Sequence, residues 1–121
     1  MSRDNGPHFK GGRNIAMKIP QHLFDKTVAF YRDTLSLPVV EEGASTVVFE
    51  FGTNRLWLDR TDYLSQAEIW LEITTDDVPS AKSYFASTNT IRKDEIEALP
   101  DGFEGFWISN PAKVIHLVSR K

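Results

Sequence analysis

The stretch from His22 to Val40, HLFDKTVAFYRDTLSLPVV, constrains the fold of this chain more than any other segment. Its apolar residues recur at steps of four, three and four, which places them on one face of a helix: Phe24, Val28, Tyr31 and Leu35. Pro38 cannot continue a helix, and the two valines that follow it favour extended structure. The stretch therefore predicts an amphipathic helix that packs on a sheet and leads directly into a strand.

The composition predicts one soluble globular domain and excludes several kinds of site. The chain has 121 residues, of which 40% are apolar and 26% are charged. A net charge of −3 gives no reason to expect a nucleic acid or an anionic membrane as a partner. There is no cysteine, so disulfides, thiolate nucleophiles and zinc-thiolate sites are excluded, and we expect a reducing, cytoplasmic location.

The first 12 residues differ from the rest of the chain in composition. They are polar and rich in glycine, and they lack the apolar core of a signal peptide. We therefore predict a flexible N-terminal tail over residues 1–12 and a single domain over residues 13–121.

The domain contains an internal duplication. Helices are predicted at residues 23–35 and 78–87, with Asp76 or Asp77 as N-cap of the second. Strands are predicted at residues 14–19, 39–42, 46–51, 55–59, 68–74, near 91, 103–109 and 113–118. The first strand and the helix recur at an offset of 54, and the last strand at 59, with Leu56 and Leu58 matching Ile115 and Leu117. The repeats thus cover about residues 13–62 and 66–120.

Three stretches resemble those of one protein superfamily. FYRDTLSLPV resembles the first helix of the vicinal oxygen chelate superfamily, which includes glyoxalases, bleomycin resistance proteins and dioxygenases. LEITTDDVPSAKSYF is similar to its second strand–helix junction, and FWISNPAKVIHLV to its closing hairpin. The resemblance implies an α+β fold in which two βαβββ repeats form a cup-shaped, partly closed mixed sheet with helices on the outer face. It also implies a homodimer.

The alternation of residues along each strand predicts which side chains face the inside of that cup. On the strand at 55–59, Leu56 and Leu58 point to the core, and Arg55, Trp57 and Asp59 to the cup. On the last strand, the match to Ile115 and Leu117 assigns His116 to the cup. The residues predicted to contact a ligand are Asn14, Lys18, Trp57, Asp59, Trp70, Glu72 and Trp107. Tryptophans in such positions either form the walls of a ligand cavity or fill the centre of a small domain.

The resemblance also implies four positions for metal ligands, two in each repeat. They fall on Asn14, Trp57, Glu68 and His116. Tryptophan has no lone pair to offer a metal, and an asparagine oxygen is a weak ligand for a transition ion. Only Glu68 and His116 remain, whereas a catalytic site usually has three protein ligands. We therefore expect no tightly bound metal; Asp59 or Glu50 would complete a set if the register differs.

Glu68 and His116 are also the candidate catalytic residues. A carboxylate beside an imidazole raises the pKa of the histidine and can make it a general base near neutral pH. The alternative is a hydrogen-bonded polar pair that takes part in no chemistry.

Three functions follow from these patterns. The first is a small-molecule-binding protein of the glyoxalase and bleomycin-resistance type, without a cofactor, whose ligand lies in a tryptophan-lined cup. The second is an enzyme, namely a metal-dependent lyase, isomerase or dioxygenase with an atypical ligand set. The third is a structural or regulatory dimer.

Overall fold

The computed structural model of the chain describes residues 6–121, so the first five residues of the predicted tail lie outside the described part. The chain forms two compact units. The first unit is Arg13–Trp70, and the second joins Leu71–Lys121 with the described residues up to Gly12.

The described residues form nine strands and two α-helices. The strands are β1 (Phe9–Gly11), β2 (Asn14–Pro20), β3 (Val39–Glu42), β4 (Thr46–Phe51), β5 (Asn54–Thr61), β6 (Glu68–Thr75), β7 (Ile91–Arg92), β8 (Gly105–Ser109) and β9 (Ile115–Arg120). The helices are α1 (Gln21–Ala29), which continues as a π-helical segment over Phe30–Thr34, and α2 (Val78–Ser87). From β2 onward the order βαβββ occurs twice, which confirms the predicted α+β class and the duplicated architecture.

The sheet of the first unit has the strand order β3-β4-β5-β2, and the start of β6 pairs with β2. β2 and β5 run parallel, and the other neighbours are antiparallel. The apolar face of α1 packs on one side of this sheet, as its periodicity predicts. The core there consists of Ile19, Phe24, Val28, Val47, Phe49, Leu56 and Leu58.

The predicted first helix ends in a way that the apolar pattern did not indicate. Its last turn is π-helical, and Ser36 after it has a φ of 55°. This left-handed backbone turns the chain toward β3. Tyr31, in the π-helical segment, still packs against the core of the first unit.

The second unit repeats this arrangement around α2. β6 pairs with β9 in parallel, β9 with β8 and β8 with β7 in antiparallel fashion. The core beneath α2 consists of Val78, Ala81, Phe106, Ile108 and Val118. Asp77 is the N-cap, as predicted: its side chain accepts a hydrogen bond from the Ser80 amide at 3.0 Å.

Residues 9–11, predicted as part of the tail, form a strand instead. β1 pairs antiparallel with β6, Phe9 opposite Thr75 and Gly11 opposite Ile73. Phe9 also packs against the core of the second unit, with its ring 5.1 Å from that of Phe85. The polar composition hid this strand because pairing with β6, which composition does not reveal, holds it together with the two apolar residues Pro7 and Phe9.

The predicted orientation of the last strand is wrong. His116 is in register with Leu71 and Ile108, and Val118 belongs to the core under α2. His116 and Val118 therefore lie on the helix-bearing face, whereas Leu117 lies on the other. In the first repeat Met17 pairs with Leu58, and in the second repeat Leu71, which corresponds to Met17 at an offset of 54, pairs with His116. The last strands of the two repeats are therefore offset by 58 residues, not by 59. A shift of one residue reverses the face of every side chain.

On β6 the predicted faces are only partly matched by burial. Ile73 packs against the core under α2. Ile69 and Leu71, on the same face, are exposed instead of lying beneath the helix. No helix in residues 6–121 is long and apolar enough to cross a membrane.

Candidate ligand-binding face

The side of the first unit's sheet opposite α1 carries most of the predicted ligand contacts. Leu56 and Leu58 enter the core beside α1, so alternate residues of β5 point to the other side. Strand register brings residues of β2, β4 and β6 onto that side with them. We call this surface the indole face; it comprises Asn14, Ala16, Lys18, Thr46, Val48, Glu50, Arg55, Trp57, Asp59, Glu68 and Trp70.

Two tryptophans of this face donate hydrogen bonds to side-chain oxygens at the implied metal positions. Nε1 of Trp57 lies 2.8 Å from Oδ1 of Asn14. Nε1 of Trp70 lies 3.0 Å from Oε1 of Glu68. Ala16 is in register with both tryptophans on the neighbouring strands, and its methyl group leaves room for the two indoles.

A buried ion pair lies beside the tryptophans. Nζ of Lys18 is 2.8 Å from Oδ2 of Asp59, and the hydroxyl of Thr46 donates to Oδ1 of the same carboxylate at 2.8 Å. The ammonium group also lies 4.3 Å from the centroid of the Trp70 ring, within the range of a cation–π interaction. Lys18 is 3% exposed, so its charge depends on these partners for the solvation that water would supply.

Arg55 contrasts with this satisfied pair. It is in register with Asn14 on one side and Glu50 on the other. Its Nε is buried and has no hydrogen-bond partner among the described residues. Leaving a buried donor unpaired costs about 1–3 kcal/mol, so an unpaired guanidinium nitrogen is unusual.

Exposure divides the indole face into buried and accessible parts. Trp70 is 2% exposed, which makes it a packing residue as well as a hydrogen-bond donor. Trp57 and Arg55 are half-buried, and the Asp59 side chain is 18% exposed. A ligand that approached this face would therefore meet Trp57, Arg55 and Asp59.

The remaining predicted site residues belong to the second unit. Trp107 is buried, and its indole donates to the backbone oxygen of Glu97 at 2.9 Å. The backbone oxygen of Glu72 accepts from the Gly12 amide at 2.8 Å. Nδ1 of His116 lies 3.1 Å from the oxygen of Val114. Glu68 and His116 fall in different units, and their proposed catalytic roles stay predictions.

The residues at the implied metal positions do not fit a metal. Asn14 and Glu68 each have a side-chain oxygen engaged by an indole N–H, and Trp57 offers no lone pair. With the corrected offset, the position equivalent to Trp57 in the second repeat is Ile115, not His116. Within residues 6–121 no group of three His, Cys, Asp or Glu side chains is placed to hold a metal ion.

The list of predicted contacts omitted Arg55 and Thr46. Alternation on β5 already placed Arg55 on this face, and a basic residue on the same strand face as Trp57 and Asp59 was the signal that could have identified it. Thr46 gave no signal, because only the pairing of β4 with β5 brings it opposite Asp59.

Comparison with solved structures identifies the fold. The Mn(II)-bound glyoxalase from Novosphingobium aromaticivorans aligns with 89% of this chain and 38% of its own, with a TM-score of 0.64 and 20% identity. A variant of homoprotocatechuate 2,3-dioxygenase from Brevibacterium fuscum aligns with 96% of this chain and 33% of its own, with a TM-score of 0.69 and 15% identity. The fold is that of the vicinal oxygen chelate superfamily.

Other comparisons limit what this vicinal oxygen chelate fold implies. A structure described as an NAD-dependent benzaldehyde dehydrogenase from Legionella pneumophila aligns with 88% of this chain and 96% of its own, with a TM-score of 0.63 and 13% identity. Neither a protein-family model nor a curated protein matches the chain. The chain spans 33% to 38% of the glyoxalase and the dioxygenase, and such low identities establish the fold but no reaction.

Proposed function

We propose that this protein is a small-molecule-binding protein of the glyoxalase and bleomycin-resistance type that works without a tightly bound metal. The ligand lies against the indole face, over Trp57. The pair of hydrogen bonds from Trp57 to Asn14 and from Trp70 to Glu68 carries the proposal. Each bond engages one oxygen of the two oxygen-bearing side chains at the implied metal positions, and the other two positions are a tryptophan and, with the corrected offset, an isoleucine.

The chemistry of the indole face suits an aromatic or amphipathic ligand. The half-buried ring of Trp57 offers a flat apolar surface, and its N–H is already bonded, which fixes the orientation of the ring. Asp59 and Arg55 add polar groups at the two ends of the same stretch of β5. A few fixed polar groups around an apolar surface are the usual composition of a small-molecule site.

Two measurements test the proposal together. The first is the metal content of protein purified without chelator or metal-affinity resin, before and after nickel, zinc, iron or manganese is added. We expect far less than one ion per chain in every case. About one ion per chain, lost in the Glu68→Gln variant, would establish the metal-dependent alternative instead.

The second measurement is tryptophan fluorescence during a screen of aromatic and amphipathic compounds that includes glycopeptide antibiotics. We expect a saturable change in emission with the compounds that bind, and its loss in the Trp57→Phe variant. Trp107→Phe is the matched control, because that indole is buried and bonded to Glu97 in the second unit. If no compound changed the emission, the binding function would lose its support.

The homodimer and the cytoplasmic location remain predictions from the sequence. The third function, a structural or regulatory dimer, predicts a stable dimer whose dissociation constant no small ligand changes. Sedimentation with and without a compound found in the fluorescence screen separates it from the binding function.

A further inference from the structure

We propose that Arg55 and Trp57 form a subsite for an aromatic oxyanion, with Arg55 binding the carboxylate or phosphate group and Trp57 stacking on the ring. This inference rests on the proposed function and specifies the class of ligand.

The first argument is the state of the Arg55 side chain. Its Nε is buried and unpaired among the described residues, although Glu50 is its cross-strand neighbour. Arg55 forms no ion pair with Glu50 or with any other described carboxylate. The buried Nε is closed to a ligand, whereas the two terminal nitrogens are not among the buried unpaired atoms, and their donors match the two oxygens of a carboxylate or phosphate.

The second argument is the charge on the rest of the face. The ammonium of Lys18 is already bound by Asp59, and the second oxygen of that carboxylate is bound by Thr46. Glu68 accepts the hydrogen bond of Trp70. Among the described residues of the indole face, Arg55 is therefore the cationic residue that a ligand anion can reach without displacing a partner.

The third argument is the spacing of the two residues. Arg55 and Trp57 are two positions apart on β5, so their side chains emerge on the same face about 6–7 Å apart. This distance suits a ligand whose anionic group is attached directly to an aromatic ring. Both side chains are half-buried, which excludes part of the competing water and strengthens the interaction between the charges.

Arg60 provides a matched control on the same strand. Its Nε is also buried and unpaired, but it lies on the opposite face of β5. Its guanidinium is 3.3 Å from Asp25 and stacks 4.7 Å from the centroid of the Phe24 ring. Partners from α1 thus hold Arg60, while Arg55 has none among the described residues.

The test uses nuclear magnetic resonance of the full chain labelled with nitrogen-15, because arginine Nε–H and tryptophan Nε1–H groups give separate signals. The probes are benzoate, phenyl phosphate and benzamide, which share a ring and differ in charge. We expect benzoate or phenyl phosphate to shift the signals of Arg55 and Trp57 together, and benzamide to bind about tenfold more weakly. Binding of only one of the two anions would identify which oxyanion the subsite accepts.

Variants locate the effect. Arg55→Gln is expected to weaken binding of the preferred anion about tenfold, and Arg60→Gln to leave it within about twofold. Glu50→Gln is expected to strengthen binding, because it removes a negative charge opposite Arg55. Thermal unfolding of each variant checks that the fold is retained.

Equal affinity for benzoate and benzamide, or an unchanged affinity in Arg55→Gln, would overturn the oxyanion subsite and leave small-molecule binding standing. Shifts confined to Arg60, or no shift with either anion at millimolar concentration, would overturn it as well. Metal binding at about one ion per chain would instead contradict the proposed function, so the two failures are distinguishable.

Discussion

Lys18 and Asp59 form an ion pair that ties the parallel strands β2 and β5 together on the side of the sheet away from α1. Their side chains are 4% and 18% exposed, and Nζ lies 2.8 Å from Oδ2. Thr46 on β4 reaches the second carboxylate oxygen, so one carboxylate connects three adjacent strands. The pair therefore helps to hold together the three strands that surround Trp57.

Breaking this pair from one side is expected to destabilise the protein strongly. Asp59→Ala leaves the Lys18 ammonium buried without its carboxylate, which costs about 3 kcal/mol of unfolding free energy. Urea denaturation followed by circular dichroism measures the change. The double variant Lys18→Met, Asp59→Ala removes both charges and should recover most of the loss, and a double variant that is less stable than Asp59→Ala would contradict the argument.

Removal of the oxygen that accepts the Trp57 hydrogen bond is expected to loosen the indole ring. It should lower the free energy of unfolding by less than Asp59→Ala does. Asn14→Ala deletes the acceptor of the indole N–H, and a hydrogen bond of this kind contributes about 1 kcal/mol. Asn14→Asp is the control, because a carboxylate still accepts the bond. The Trp57 indole signal should move in the alanine variant and stay bonded in the aspartate variant; identical spectra for the two would contradict the bond.

The cap of α2 is expected to make stability depend on pH in acid. The Ser80 amide and then its hydroxyl hold the pKa of Asp77 below its ordinary value of 3.8. A carboxylate with a lowered folded pKa stabilises the fold above its unfolded pKa, and this stabilisation is lost as the pH falls through the folded value. Thermal unfolding between neutral pH and strong acid measures it.

Asp77→Asn provides the control for that experiment. The amide oxygen still caps the helix but does not titrate, so this variant should lose less stability in acid than the wild type does. A wild type and a variant with the same acid dependence would assign the effect to other carboxylates, such as Asp76, whose pKa is lowered mainly by the hydrogen bond from the His8 amide.

Replacement of His116 is expected to leave ligand binding on the indole face unchanged. The imidazole lies on the helix-bearing face of the second unit, with Nδ1 3.1 Å from the oxygen of Val114. His116→Gln should therefore bind the compounds found in the fluorescence screen within about twofold of the wild type. A loss of tenfold or more would restore His116 as a functional residue, provided that the unfolding temperature is unchanged.

The sequence predicted the first unit well because its patterns are unambiguous there. On β2 and β5 polar and aliphatic residues alternate, so Asn14, Lys18, Trp57 and Asp59 could be assigned to one face and share it in the structure. The N-cap Asp77 was also readable from local chemistry. Hydrogen bonds between neighbours, such as that between Trp57 and Asn14, depend on strand register and could not be predicted.

The predicted orientation of the last strand was wrong for a physical reason. The run VIHLV at residues 114–118 is apolar on both faces, so alternation does not choose an orientation. The predicted orientation depended on the number of residues inserted between the two repeats. An error of one residue in that number exchanged the faces assigned to His116 and Leu117. β1 was missed because its pairing with β6 lies far away in sequence, and composition describes only local preference.

Ala16 has a consequence for how the ligand range of this protein could change. It is partly exposed between the strands that carry Trp57 and Trp70, and none of the hydrogen bonds of the indole face uses its side chain. A bulkier residue there would compete with Trp57 and Trp70 for the space beside position 16 and displace their rings. A single substitution at position 16 is therefore expected to change the size of the ring that the protein accepts, without altering Arg55, the group proposed to bind its charge.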